Sequence, residues 1–366
     1  MVDNFLTPRQ NHVLKGQFDA EKQFFDIATS GSLHHAWLIT GSKGIGKATL
    51  AYRIARYMFA RNSSGIIESN LTLDLDSRPL SGEGGLSENS PLYLWPEHPI
   101  FRRVANGSHS DLLTIECGVD EKTKKIRKEI LVDDARSIGS FLHKTAAEAA
   151  WRVVIIDAVD EMTTSAANAL LKVLEEPPNR ALLLLISHNP GSLLATVRSR
   201  CRQLLLKPLN SESFKSVIES QTTSVDSDEA EFLYSVCNGS IGLARELIEH
   251  DGSEIFKLTN ALLIDLIDLD IQKLDNLCEY FTKQSQNNSF WILHLILNDW
   301  LIETVKNKVI NNDHMSRETQ KWIDVWELMN NLFQKAESVN LGRKQVILNT
   351  FFAIANIARD HSKGAN

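Results

Sequence analysis

The run Gly41-Ser42-Lys43-Gly44-Ile45-Gly46-Lys47-Ala48, set between an apolar stretch and a helical pattern, constrains the fold of this chain more than any other feature. Before it, Ala36-Trp37-Leu38-Ile39-Thr40 reads as a short buried strand; after it, Leu50, Ile54, Ala55 and Met58 recur at helical spacing through Phe59. Strand, glycine loop and helix in that order is the setting in which G-x-x-x-x-G-K surrounds phosphates with backbone N–H groups and a helix N-terminus. Gly41, Gly44 and Gly46 supply the loop, and Lys47 is placed to reach the terminal phosphates. The position after the lysine ordinarily carries a hydroxyl that ligates Mg²⁺. Here it is Ala48, and Thr49 comes one residue late, rotated about 100° around the helix. The expected pocket binds ATP or ADP at most, with the metal poorly held.

The N-terminal part alternates strand-like and helical patterns, the arrangement of a parallel sheet covered by helices. Asp111-Leu112-Leu113-Thr114-Ile115 is one such run, and Asp133-Asp134 begins a helix to about His143. Trp151 to Ile156 is apolar apart from Arg152, as in a strand buried on both faces, and Asp157 stands at its C-terminal end. That position suits an acidic partner of Mg²⁺, direct or through water. Thr163 to Leu174 forms a helix stopped by Glu175-Glu176-Pro177-Pro178, because the residue before proline is pushed out of the helical region. Ala181 to Ile186 is a further apolar strand.

Past Pro208 the alternation ceases and helices follow, with Trp291, Trp300, Trp322 and Trp326 read as core or interface anchors. Residues 62–92, rich in Asn, Ser, Gly and Glu, read as a flexible insertion. The expected division is 1–208 for the sheet domain, 209–250 for a small helical unit and 251–366 for an all-α bundle. No stretch approaches the roughly 18 apolar residues of a membrane span, and the N-terminus carries no secretion signal, so a cytoplasmic location is expected. Cys117, Cys201, Cys237 and Cys278 have no metal-ligand spacing, so no metal site is expected. A net charge of −7 provides no global attraction to nucleic acid, so any work on DNA goes through partners or a local patch.

Asn168-Ala169-Leu170-Leu171-Lys172-Val173-Leu174-Glu175-Glu176-Pro177-Pro178, followed after a strand by Ser199-Arg200-Cys201, resembles the clamp-loader family of AAA+ ATPases. With the phosphate loop, these motifs cover about residues 30–205. The resemblance implies an α/β AAA+ P-loop domain followed by a helical lid and an all-α collar; over the collar the match is architectural only. It implies that Arg200, flanked by Ser199 and Cys201, acts in trans on ATP bound by a neighbouring subunit. AAA+ ATPases follow the strand-end aspartate with a water-activating glutamate, where this chain has Ala158, and the turn directs Asp160 and Glu161 elsewhere. Active members carry a lid arginine near the place of Gly242, for which Arg245 is a candidate stand-in. Many relatives also hold zinc in a four-cysteine module where this chain has its cysteine-free insertion, so zinc is not expected.

The implied function is a non-hydrolysing subunit of the DNA polymerase III holoenzyme, a DNA-directed DNA polymerase and nucleotidyltransferase, with no ATPase activity of its own. The implied partners are gamma/tau motor subunits and a delta subunit in a hetero-oligomeric ring, with the sliding clamp and primer-template DNA reached through the complex. A working motor subunit and an unrelated P-loop nucleotide kinase are the alternatives. Ala48, Ala158 and Gly242 weigh against the first, and the lack of an evident phosphoryl-acceptor site against the second.

Overall fold

The computed structural model describes residues 6–62, 90–118, 127, 129–144, 150–222, 225, 227–283, 289–312, 317–339 and 342–364. The chain forms two compact units: Met1–Ser227 with Asn238–Leu243, and Asp228–Cys237 with Ala244–Asn366. The residues 209–250 expected as a lid thus contribute to both.

The first unit is a parallel sheet of β1 (Ala36–Thr40), β2 (Leu112–Glu116), β3 (Arg152–Asp157), β4 (Ala181–Ser187) and β5 (Arg202–Leu205), in the order β2-β3-β4-β1-β5. The central strands are apolar without alternation because both faces are covered. One face buries Trp37, Ile39, Val153, Ile155 and Leu184 with α1 (Phe18–Thr29), α2 (Lys47–Asn62) and α3 (Pro99–Ala105). The other buries Leu38, Val154, Ile156, Leu183 and Leu185 with α4 (Val132–Leu142) and α5 (Thr164–Glu175).

Helix α4 starts at Val132, before the acidic pair, and the Asp134 carboxylate accepts the Leu131 N–H at 3.0 Å. Thr163 caps α5 through the Ala166 N–H. Parallel register aligns Thr40 with Ser187 and Asp157 with Ile186, bringing the C-terminal ends of β1, β3 and β4 to one edge. In open α/β sheets that edge is where ligands bind.

Of the stretch 62–92, residues 63–89 lie outside the described residues. Its end, expected as part of the insertion, packs on the sheet unit: Leu92 is buried, and the Ser90 hydroxyl donates to Glu21 at 2.5 Å. The unit is completed by α6 (Ala195–Arg198), just before β5, and α7 (Ser211–Gln221).

The second unit is all helical, with α8 (Ser227–Cys237) from Asp228 on, α9 (Ile241–Glu249) from Ala244 on, α10 (Gly252–Leu263), α11 (Ile271–Lys283), α12 (Phe290–Asn312), α13 (Arg317–Val339) and α14 (Arg343–Gly364). Helix α12 packs against α10 and α13, and α14 against α11 and α13. Their core includes Leu262, Phe281, Leu297, Met329 and Phe351. Trp300 meets Trp322 edge-on at 5.9 Å, and the Trp326 indole donates to Asn298 at 2.7 Å. Among the described residues, no helix is long and apolar enough to cross a membrane.

Candidate nucleotide pocket and arginine motif

The loop between β1 and α2 turns through Gly41, Gly44 and Gly46 at φ of 140°, 80° and 100°. Gly44 is the position where this freedom matters most. A Cβ there would strike Ser240 Oγ and lie 3.0 Å from Gly242 Cα, so a side chain is excluded by space as well as by backbone conformation. The close approach belongs to a segment closed on the loop: Gly242 N–H donates to Gly44 O at 2.8 Å, and Ser240 Oγ donates to Lys43 O at 2.8 Å. A Cβ on Gly242 would lie 2.6 Å from Gly44 Cα, so an arginine at this place requires the segment to withdraw.

Lys47 is 3% exposed, and its ammonium donates to Gly41 O and Ser42 O, each at 2.6 Å. The cation that would meet a terminal phosphate is thus held by its own loop. Burial brings its pKa down to about 8, against the opposing pull of Asp157 and Asp160. Ala48 packs against the adjoining core face, and Thr49 is itself buried.

Asp157, at the end of β3, has its pKa pushed up to about 6, first by burial and secondarily by Glu116, Glu161 and Asp160, while Lys47 pulls it down. Ala158 is 3% exposed, leaving little room for a larger side chain. The neighbouring acids have other tasks. Asp160 accepts the His188 N–H at 3.0 Å and the Asn189 N–H at 3.2 Å, capping the turn after β4. Glu161 accepts the Cys117 thiol at 3.1 Å, and burial with this bond pushes that thiol up to about 12.

Sequence reasoning passed over His188, the residue after β4. Its Nδ1 and the Ser187 hydroxyl are buried and have no hydrogen-bond partner among the described residues. Burial lowers the His188 pKa, and the charge of Lys47 lowers it further. The one available signal was a polar pair closing an otherwise apolar strand.

Arg200 lies between α6 and β5. Its guanidinium bonds Glu175 Oε1 at 2.8 Å and Thr196 O at 2.9 Å, with 36% of the side chain exposed. Ser199 donates to Thr196 O at 3.2 Å, and burial pushes the Cys201 thiol up to about 12, which keeps it a protonated packing residue. Arg245 pairs with Glu249 one turn along α9 at 2.7 Å. Among the described residues, no group of three or more His, Cys, Asp or Glu side chains could hold a metal ion.

The loop thus carries Ala48 directly after its lysine, and β3 carries Ala158 directly after Asp157, with Asp160 and Glu161 bonded to other groups. Arg200 is outside that constellation and partly exposed.

Residues 98–210, which carry β2 through β5 and the arginine motif, match the family model described as DNA polymerase III, delta subunit. The chain is 34% identical over 169 residues to the DNA polymerase III subunit delta' of Pseudomonas aeruginosa, covering 46% of this chain and 42% of that protein. It is 26% identical over 224 residues to the subunit gamma of Buchnera aphidicola, covering 60% and 52%. Against the subunit tau of Escherichia coli the identity is 29% over 189 residues, covering 52% and 24%. The chain spans about half or less of the length of these curated relatives. A solved DNA polymerase III gamma subunit-related protein from Thermotoga maritima aligns with a TM-score of 0.39 at 19% identity, over 94% of this chain and 99% of the other. The phosphate loop on a parallel five-stranded sheet, the arginine motif and these relatives agree in one likeness: over the sheet unit the chain is similar to the clamp-loader subunits of DNA polymerase III.

Proposed function

We propose that this chain is the delta-prime-type, non-hydrolysing subunit of a clamp loader, which helps load the sliding clamp onto primed DNA and lends Arg200 to the ATP site of a neighbouring motor subunit. The observation that carries the reading is the closure of the phosphate loop, with Gly242 seated on Gly44 and Lys47 bonded to its own loop. Ala48 and Ala158 support it, each removing a different chemical role from hydrolysis. Arg200 needs nothing from that pocket: a guanidinium delivered across a junction stabilises charge on the transferring phosphoryl group wherever the nucleotide is held. On this reading the chain retains at most ATP or ADP without turnover, requires no zinc, and works in the cytoplasm within a hetero-oligomeric ring. Its partners are gamma/tau-type motor subunits, a delta subunit and, through them, the clamp and DNA. The 209–250 lid and 251–366 collar are assigned to that assembly.

The test has two arms. The isolated chain should turn over ATP at background rate, and the chain mixed with motor and delta subunits should form one complex by size and mass. Within that complex Arg200→Ala should leave assembly intact and lower ATP turnover in part, since one junction among several is altered. Arginine fingers elsewhere contribute roughly 10³ to 10⁵ in rate at their own site. Normal assembly with turnover and clamp loading unchanged in Arg200→Ala would refute the reading.

A further inference from the structure

We propose that Glu175 is the positioning residue for Arg200, holding the guanidinium in a fixed plane before any neighbour engages it; this rests on the reading of Arg200 given above. Glu175 is the last residue of α5, and Pro177-Pro178 turn the chain out of the helix directly afterwards, which fixes where the carboxylate starts. From there Oε1 meets Arg200 Nη2 at 2.8 Å, while Nη1 donates to Thr196 O at 2.9 Å. The two anchors come from different elements, α5 and α6, and engage the two terminal nitrogens. Together they set both the place and the orientation of the plane.

Local helix stability does not account for an acid here, because a negative charge at a helix C-terminus opposes the helix dipole. Nor does folding: the side chains are 50% and 36% exposed, and pairs so open to water contribute little. What the pair changes is freedom. A guanidinium carries five N–H donors, so these two bonds leave others for a phosphate oxygen. A long side chain already fixed loses less entropy on reaching a partner than one that must first find its rotamer. Positioning of this kind acts on the reacting geometry rather than on nucleotide affinity.

The experiment uses the assembled complex with its motor subunits. The arginine-dependent part of ATP turnover is defined as the parent rate minus the Arg200→Ala rate. Glu175→Ala should lower that part about 3- to 10-fold through kcat, with KM for ATP unchanged, because the nucleotide is held by the neighbour. Glu175→Gln keeps an acceptor oxygen and should retain most of it. In the double variant, Glu175→Ala should add nothing to Arg200→Ala, since a positioning residue has no effect once its target is gone. The Tm of the isolated chain should not move. If Arg200→Ala lowers turnover but Glu175→Ala leaves it unchanged, raises it, or adds to Arg200→Ala in the double variant, the positioning role is wrong and the reading of Arg200 stands. If Arg200→Ala itself has no effect, both fail.

Discussion

Asp157 sits where its charge is costly. Burial holds its pKa near 6, well above the ordinary carboxylate value, although Lys47 pulls the other way. Because the folded pKa lies above the unfolded one, the contribution of this group to stability is complete below about pH 4 and is lost as pH rises through 6. One pKa unit corresponds to about 1.4 kcal/mol, so ionised Asp157 costs the fold on the order of 2–3 kcal/mol at neutral pH. Asp157→Asn should therefore raise the Tm at pH 7, and the gain should shrink to nothing near pH 4, where both side chains are neutral. Thermal melts of the two proteins across that range check the sign; equal Tm values at pH 7 would show that the carboxylate is solvated or paired better than its surroundings indicate. A buried strand-end aspartate with so perturbed a pKa follows the pattern in which such groups gather at functional sites.

At the scale of elements, α1 and α2 are joined by a pair that composition hides. Arg53 and Glu21 are both 1% exposed and meet at 2.5 Å, with Arg53 also donating to Ser90 Oγ at 2.8 Å and to His12 O. Removing one partner leaves a buried charge without compensation, at a cost of about 3–5 kcal/mol, whereas replacing both with apolar side chains of similar volume is far milder. Glu21→Ala should thus lower the denaturant midpoint much more than Glu21→Leu combined with Arg53→Met. If the double replacement proves as damaging as the single one, packing rather than the stranded charge sets the cost.

The same helices show what was legible in advance. The strand, loop and helix around Lys47 could be read because glycines and an unbroken apolar run leave few alternatives. So could β3 and β4, and α5 with its threonine cap and proline stop. Strand β5 could not, since Arg202, Gln203 and Leu205 are exposed on a strand that, among the described residues, pairs with β1 at the sheet edge. Nor could the buried arginines of α2, whose partners are carbonyls such as those of Arg9 and Asn11, supplied by residues more than 40 positions away. The seat of Gly242 on Gly44 left a trace only as a glycine where the resemblance implied an arginine. Asp160 and Glu161 cap a turn and accept a thiol, tasks that depend on contacts no local pattern encodes.

At the scale of the whole molecule, the chain passes between its two units more than once. Residues Asp228–Cys237 belong to the helical unit, Asn238–Leu243 return to the sheet unit, and the chain then continues in the helical unit from Ala244. The segment that closes the phosphate loop is therefore continuous with helices whose core lies elsewhere, and no single cut separates the two. A cut after 250 divides α8 from α10, where Phe232 stacks on Phe256 at 3.7 Å and Ser253 donates to Glu229. It strips cover from Ala230, Leu233 and Leu247, which are fully buried in the intact chain. Each large apolar side chain so exposed costs about 1.5–3 kcal/mol. A cut after 222 instead removes α8 and α9 together, losing the contacts of Ser240 and Gly242 with the loop and the bond of the Leu209 N–H to Gly239 O, but dividing neither the α8–α10 ring stack nor the Ser253–Glu229 bond.

The expected outcome is an inversion of length and quality. The fragment 1–222 should stay monomeric and melt cooperatively at a reduced Tm, while the longer fragment 1–250 should bind a hydrophobic dye and aggregate. Size exclusion, dye fluorescence and thermal melts of the two fragments beside the full chain decide it. A monomeric 1–250 with no dye binding would mean that residues 209–250 form a self-standing unit. In that case closure on the phosphate loop would not depend on the helical bundle, and the pocket could open and shut independently of whatever that bundle holds.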